Sequence, residues 1–170
     1  MVPRLLVIHH SPTASLRALT DQVVAGAHDD ALAGVEVVTV EALAFARGEA
    51  DHSTILEADG YLLGTSANFG SMSGALKHVF DSTFLQIGGA LDASGAGDPS
   101  AGGTTKGRPF GLYVHGRYDT TGAVRSVLSM TGALGWRQGY DVLEVLGEVG
   151  EQHRESAYEL GGTIAALLID

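Results

Sequence analysis

The sequence contains no cysteine. Disulfide bonds, thiolate metal sites and cysteine nucleophiles are therefore excluded together. Positive charge is also scarce, because 10 lysines and arginines stand against 20 aspartates and glutamates, for a formal net charge of -10. Nucleic acids and anionic membranes are bound by basic faces, so we expect neither as the main partner. A small molecule or a basic protein fits this charge better.

Long hydrophobic runs are missing as well. The longest apolar runs, such as residues 60–64 and 164–169, fall far short of the roughly 20 residues that span a bilayer. The residues Met1 to Arg4 lead directly into an apolar run, without the long apolar stretch and cleavage site of a secretory signal. We expect a cytoplasmic protein that does not insert into membranes.

Hydrophobic residues make up 45% of the chain and charged residues 18%, which is typical of a soluble globular protein. A length of 170 residues suits one domain with a single buried core, so we predict one domain over residues 1–170. Histidines are scattered without the spacing of metal ligands, and adjacent His9 and His10 would point to opposite sides of a strand. No metal site is expected.

Short apolar runs alternate with stretches of helical spacing. The runs predict five strands, at Leu5–Ile8, Val35–Val40, Tyr61–Thr65, Phe110–Val114 and Tyr140–Leu146. Helical spacing predicts helices over residues 16–27, 72–84, 124–134 and 160–168. Such alternation favours an α/β protein whose mostly parallel sheet is covered by helices on both faces.

Three segments of the chain have a weaker pattern. Residues 40–59 are compatible with a poor helix or with a loop. The glycine-rich residues 88–107 suggest a mobile flap, a lid or a partner contact. The acidic residues 144–151 are expected to form a solvated loop and a helix start.

Polar and glycine-rich residues follow the first, third and fourth predicted strands. The three loops are residues 10–15, 66–71 and 115–120. If the strands are ordered 2-1-3-4-5, these three strands are neighbours and their loops line one crevice, where ligands of open parallel sheets bind.

Two readings of each loop remain open from the residues alone. The hydroxyls of Ser11, Thr13 and Ser15 beside a helix start could bind phosphate, with Arg17 adding a charge, or could only cap the helix. The second loop could present Phe69 at its tip. Alternatively, it is a simple strand-to-helix turn, with Ser71 or Ser73 as the cap and Phe69 in the core.

The residues Gly64 to Lys77 read G-T-S-A-N-F-G-S-M-S-G-A-L-K and are followed by Asp81. This stretch resembles the flavin-ring loop of the flavodoxin-like quinone oxidoreductases and NAD(P)H-dependent FMN reductases, which runs roughly G-T-P-x-Y-x-G-S-M-x-G-x-L-K before an acidic residue. The resemblance implies a flavodoxin-like three-layer sandwich, with a five-stranded parallel sheet of order 2-1-3-4-5. It also implies FMN as the cofactor and NAD(P)H as the co-substrate.

The same resemblance implies three groups of FMN-binding residues. They are His10, Ser11, Thr13, Ser15 and Leu16 for the phosphate; Ser66, Ala67, Asn68, Phe69, Gly70, Ser71 and Met72 for the ring; and His115, Gly116, Arg117, Tyr118 and Asp119 in the third loop. Ala14 and Leu16 depart from the S-x-T-G-x-T phosphate loop, where Gly and Thr are expected. In the ring loop Ser66 replaces Pro and Asn68 replaces Tyr, so stacking on the ring would depend on Phe69 or Tyr118.

The resemblance implies an oxidoreductase that passes reducing equivalents from a nicotinamide to a quinone or another small acceptor. FMN would carry the chemistry, so no catalytic side chain is required. Arg117 or His115 would lie near the pyrimidine edge of the ring. Relatives often complete the flavin crevice with a second subunit, so a homo-oligomer is expected. A deazaflavin donor stays open.

Two other functions stay open. A single-electron carrier of the flavodoxin type suits the acidic charge, although the only tryptophan, Trp136, lies well past the third loop. A cofactor-free binding module would follow if the altered phosphate loop no longer holds FMN. A response-regulator receiver is excluded, because His9-His10 and Thr65-Ser66 stand where its acidic residues are required.

Overall fold

The computed structural model describes residues 1–98, 100 and 103–169. Part of the glycine-rich stretch, at residues 99, 101 and 102, lies outside the described residues, so its predicted role as flap, lid or contact stays a prediction. The strands in the described part of the chain are β1 (Arg4–His9), β2 (Glu36–Glu41), β3 (Gly60–Asn68), β4 (Ser71–Met72), β5 (Pro109–Gly116), β6 (Arg137–Gln138) and β7 (Leu143–Leu146). The α-helices are α1 (Ala14–Ala27), α2 (Ala42–Ala46), α3 (His52–Leu56), α4 (Gly74–Thr83), α5 (Thr121–Ala133) and α6 (Glu151–Ala166), with a 3-10 turn at Asp30–Leu32.

The central sheet is parallel and runs in the order β2-β1-β3-β5. β6 and β7 both pair with β5, in parallel, and share the position of the fifth predicted strand. β4 pairs with the end of β3 in the antiparallel direction. The predicted parallel sheet covered by helices is confirmed, with β4 as an addition.

The predicted fifth strand, Tyr140–Leu146, is wrong over its first half. The chain between Gln138 and Leu143 is two residues longer than the segment of β5 that it faces, from Phe110 to Tyr113. The extra residues bulge out of the ladder and divide one strand into two.

Other boundaries differ from the predicted ones for local reasons. Residues 40–59 contain two short helices, α2 and α3. α4 begins at Gly74 rather than at Met72, because Met72 is taken up by β4. The acidic stretch does not begin as a loop, because Glu144 lies in β7. α6 starts at Glu151, about two turns before the apolar pattern that predicted it, since its first turns are largely exposed.

Apolar side chains form one cluster on each face of the sheet. α1 and α6 cover one face, where Leu19, Val23 and Leu160 pack on Leu62 and Tyr113. Helices α2 to α5 supply the other cluster, which includes Ile55, Leu76, Phe80 and Val127. Among the described residues, no helix combines the length and the apolar character needed to cross a bilayer.

Trp136 belongs to the second cluster and lies at the amino-terminal end of the sheet. Its ring stacks on Tyr61 with the ring centroids 3.9 Å apart, and its indole N–H donates to Thr105 Oγ1 at 2.8 Å. The carboxyl ends of the long strands lie at the opposite edge of the sheet, so Trp136 is remote from them.

Candidate functional site

A crevice of about 650 Å³ lies at the carboxyl ends of β1, β3 and β5. Its size is in the range of small-molecule sites, and its position is that of ligand sites in open parallel sheets. The lining residues are Thr13, Ser15, Ser66, Ala67, Asn68, His115, Gly116, Arg117, Tyr118, Gly147 and Glu148. The three loops that the sequence placed together do meet here.

The first loop brings the start of α1 to the crevice. Thr13 Oγ1 accepts the N–H of Leu16 at 3.2 Å, so Thr13 caps the helix. The N–H groups of Ala14 and Ser15 belong to the first turn, where a helix offers no internal acceptor. The helix start and the hydroxyls together form a surface suited to an anion, so the observed cap leaves the phosphate-binding interpretation of Thr13 open.

Three other residues that the sequence analysis placed near the phosphate have different surroundings from those expected. Leu16 is fully buried in the core, so its side chain does not reach the crevice. Arg17 donates to the carbonyl of Pro12 at 3.1 Å. His10 lines a smaller cavity of about 240 Å³, on the side of Glu41 and Leu43, and its Nδ1 is buried without a hydrogen-bond partner.

The Ser11 hydroxyl points beneath the loop into a hydrogen-bonded chain. Ser11 Oγ lies 2.9 Å from His9 Nδ1 and 2.7 Å from Thr20 Oγ1. Thr20 Oγ1 in turn lies 2.8 Å from the hydroxyl of Tyr113 on β5. Tyr113 can reach α1 because Gly64, which its ring covers, has no side chain. Ser11 is thus tied to the core as well as to the loop.

The second loop is the turn of a β-hairpin formed by β3 and β4. Asn68 pairs with Ser71, and the two residues between them have positive φ, 49° at Phe69 and 79° at Gly70. Two positive φ values are the signature of a type I′ turn. Phe69 is fully exposed at the tip, so the alternative in which it packs into the core is wrong. Met72 is buried.

The hairpin is fixed by contacts at both of its ends. Ser73 caps α4 by accepting the N–H of Leu76, and its own N–H donates to Thr65 Oγ1 at 2.9 Å. At the tip, the carbonyl of Gly70 fills the space that a side chain at Gly122 in α5 would need. The ring-loop residues are therefore held between α4 and α5.

Ser66 is the buried polar residue of the crevice. The residue lines the crevice and is 7% exposed, and its Oγ is buried without a hydrogen-bond partner. A buried hydroxyl without a partner costs about 1–3 kcal/mol.

The third loop supplies an imidazole, a cation and an aromatic ring. His115 Nε2 lies 2.7 Å from the carbonyl of Gly147, which can only accept, so Nε2 carries a proton and Nδ1 is an acceptor. The Arg117 guanidinium carbon lies 5.7 Å from the centroid of the Tyr118 ring, which is 84% exposed. Asp119 accepts the N–H of Thr121, and this bond lowers its pKa. Asp119 therefore belongs to the start of α5.

Solved structures with the same arrangement of strands and helices are flavodoxins and related proteins. The chain is similar to a flavodoxin from the domain Archaea, with a TM-score of 0.74, 14% identity, and coverage of 98% of this chain and 99% of that one. It is also similar to a Streptococcus pneumoniae flavodoxin (TM-score 0.70, 18% identity, 96% and 99% covered) and to a WrbA-like flavodoxin of Agrobacterium tumefaciens (0.67, 14%, 98% and 98%). The fold is flavodoxin-like. No family model and no curated protein sequence matches the chain.

The flavodoxin-like crevice has a fourth wall that the sequence did not indicate. Gly147 and Glu148, after β7, line it together with the three predicted loops. A neighbouring cavity of about 340 Å³ joins Glu148 to Ser15 and Arg154. The signal that could have found this wall is the position of residues 147–148 at the end of a strand that neighbours β5.

Proposed function

We propose that the flavodoxin-like crevice binds FMN and that the protein passes reducing equivalents from a nicotinamide donor to a quinone or another small acceptor. The observation that carries the proposal is the buried Ser66 hydroxyl, which has no hydrogen-bond partner and belongs to a residue that lines the crevice. The full-length similarity to flavodoxins gives further support.

The residues of the crevice fit the two ends of FMN. Thr13, Ser15 and the first N–H groups of α1 would hold the phosphate, because a helix start attracts an anion. The hairpin and the third loop would hold the ring, with Ser66 satisfying its hydroxyl on a polar ring atom. FMN, when bound, supplies the exchange of hydride and electrons with small molecules.

The charges of the crevice determine which redox state the protein favours. Arg117 is a permanent cation that lines the crevice, and His115 lines it as well. The Arg117 charge would stabilise negative charge on the cofactor and so raise its reduction potential, whereas Nδ1 of His115 is an acceptor and would not. Glu148, on the fourth wall, carries a negative charge and would lower the reduction potential of the cofactor.

The proposal is tested by dialysing the purified protein against FMN, removing unbound flavin and recording the visible spectrum. We expect a retained flavin band whose shape is shifted by the protein, and its bleaching when NADPH or NADH is added without oxygen. Retained flavin that neither nucleotide bleaches would contradict the nicotinamide donor and direct the search to a deazaflavin. A colourless protein would overturn FMN binding and leave the binding module as the function.

The Ser66→Ala variant distinguishes FMN bound in the crevice from FMN adsorbed elsewhere on the protein. Removal of the hydroxyl should weaken FMN binding by about 1 kcal/mol, close to fivefold, because one hydrogen bond to the cofactor is lost. Unfolding of the flavin-free protein should become no easier, since the hydroxyl has no partner there. Ser53→Ala, on an exposed helix away from the crevice, is the control and should leave FMN affinity unchanged.

A single-electron carrier is the second candidate, favoured by one observation. Phe69 and Tyr118 are both strongly exposed aromatics, and they lie on the two loops that would flank the flavin ring. Stepwise anaerobic reduction followed by optical spectra distinguishes the two. A carrier takes up electrons in two separable steps, whereas the proposed reductase takes up both in one step.

A further inference from the structure

The buried end of the hydroxyl chain fixes the direction of the hydrogen bonds between its hydroxyl groups. Tyr113 is fully buried, and Thr20 is the partner of its hydroxyl. A buried O–H must donate, so Tyr113 donates to Thr20. Thr20 is buried as well and has one proton, so Thr20 donates to Ser11, whose hydroxyl lies 2.9 Å from His9 Nδ1.

The contacts of Ser11 assign it a role other than binding a ligand. Its oxygen accepts from Thr20 and lies 2.9 Å from His9 Nδ1, so its side-chain partners lie beneath the loop. Ser11 also does not line the crevice, whereas Thr13 and Ser15 do. Its hydroxyl instead connects the loop to β1, α1 and β5.

The loop has few other attachments at this point. The N–H of His10 donates to the carbonyl of Gly64 at 3.0 Å, and the helix cap begins only at Thr13. Pro12 between them has no N–H to donate. Arg17 donates to the carbonyl of Pro12 at 3.1 Å from the exposed side, so the Ser11 side chain is the attachment of this segment to the core.

We propose that Tyr113 and Thr20 are positioning residues, which act through Ser11 to hold the first loop so that Thr13, Ser15 and the start of α1 face the phosphate of FMN. The inference rests on the proposed function. It differs from the assignment by resemblance, in which Ser11 itself binds the phosphate. It predicts that the chain affects binding of the phosphate end of FMN and not of the ring.

The test compares FMN with riboflavin, which lacks the phosphate, using quenching of flavin fluorescence to measure both dissociation constants. Tyr113→Phe and Thr20→Val should each weaken FMN binding about three- to tenfold, the effect of one hydrogen bond. Riboflavin binding should change less than about twofold. Thr20→Ser retains the hydroxyl and should restore the wild-type ratio of the two constants.

Tyr61→Phe is the matched control. Tyr61 is also fully buried and its hydroxyl is also hydrogen-bonded, to the carbonyl of Ile55 and to Arg108, but it lies at the opposite end of the sheet. Its loss should lower stability while leaving the ratio of the two constants unchanged. The ³¹P chemical shift of bound FMN should move in Tyr113→Phe and stay constant in Tyr61→Phe. Ser11→Ala interrupts the same hydroxyl chain at a half-exposed position. It should change the ratio of the two constants in the same way, and it replaces Tyr113→Phe as the test if Tyr113→Phe folds poorly.

The outcomes separate this inference from the proposed function. If the wild type binds FMN more tightly than riboflavin and Tyr113→Phe and Ser11→Ala keep that ratio, the positioning role is wrong and FMN binding stands. If the wild type binds both flavins equally, the phosphate is not recognised and the inference fails while flavin binding stands. If neither flavin binds, both are overturned.

Discussion

Two buried tyrosines hold their hydroxyls in opposite halves of the molecule. Burial raises the pKa of Tyr61 to about 12 in spite of the Arg108 guanidinium, which donates to its oxygen at 2.9 Å. Burial also raises the pKa of Tyr113. Both hydroxyls therefore stay protonated near neutral pH, and Tyr113 remains a donor to Thr20 throughout the working range.

His9 should make stability depend on pH. Burial lowers the pKa of its imidazole, against an opposing effect of Glu41, while His10 and Asp21 act more weakly. The unfolded chain, with an ordinary pKa near 6.5, then binds more protons than the folded one as pH falls. The contribution of His9 is complete above pH 6.5 and is lost as the pH falls through the window below it.

Urea unfolding of the wild type and His9→Asn between pH 5 and 7.5 measures this effect. Asparagine keeps an acceptor for Ser11 but has no proton to bind, so the variant should lose less stability on acidification. His52→Asn, at an exposed position in α3, should retain the wild-type dependence. Equal acid dependence in all three proteins would contradict the assignment to His9.

At the scale of elements, the β3–β4 hairpin carries local strain. Phe69 adopts a positive φ of 49° although it is fully exposed, so its ring gains no packing in return. Asparagine tolerates this conformation and Asn-Gly is a preferred type I′ pair. We expect Phe69→Asn to raise the free energy of unfolding by about 0.5–1 kcal/mol.

Thermal unfolding of Phe69→Asn and Phe69→Ala tests that expectation. Alanine removes the same ring without favouring a positive φ, so only the asparagine variant should gain stability. Loss of stability in Phe69→Asn would mean that the ring packs in the protein in solution. Flavin affinity in both variants measures separately what the ring contributes to the crevice.

The contact of the hairpin with α5 gives a second prediction for this element. A side chain at Gly122 would overlap the carbonyl of Gly70, so Gly122→Ala must displace the hairpin or the helix. We expect a loss of about 1–3 kcal/mol in the free energy of unfolding, as for other overpacked contacts. FMN binding should weaken with it, because the ring loop moves.

Gly132→Ala is the control for that variant, and urea denaturation measures both. Gly132 lies in the same helix with open space around it, so alanine there should stabilise the protein by about 0.5–1 kcal/mol. If Gly122→Ala is as well tolerated as Gly132→Ala, the hairpin is not held by this contact.

At the scale of the whole molecule, ligand binding should be coupled to folding. The crevice is assembled from loops that follow β1, β3, β5 and β7, so it exists only when the sheet is formed. A ligand at 100 times its dissociation constant stabilises the folded state by about 2.7 kcal/mol. FMN should therefore raise the melting temperature, and equal concentrations of riboflavin should raise it less.

Differential scanning calorimetry with each flavin checks this coupling. AMP, which carries a phosphate on a different ring system, is the control for the anion surface and should have a smaller effect than FMN. A melting temperature that no flavin changes would contradict a flavin site formed by folding.

The architecture could be predicted because its signals are local. Buried parallel strands read as apolar runs, and α1, α4 and α5 each follow from apolar residues at helical spacing. The same patterns could not find β4, which has two residues, or the division of the fifth strand, which depends on the register against β5. A two-residue strand and a bulge have no period to detect.

The sequence by itself determined the fold class and placed three polar loops at one edge of the sheet, since strand order brings their starting points together. Only the tertiary structure decided where the loop side chains point. Tyr113 and Thr20 are 93 positions apart and meet because β5 and α1 pack together, which draws Ser11 away from the crevice. Side-chain direction in a loop depends on partners that distant segments supply, and the local pattern of residues does not contain them.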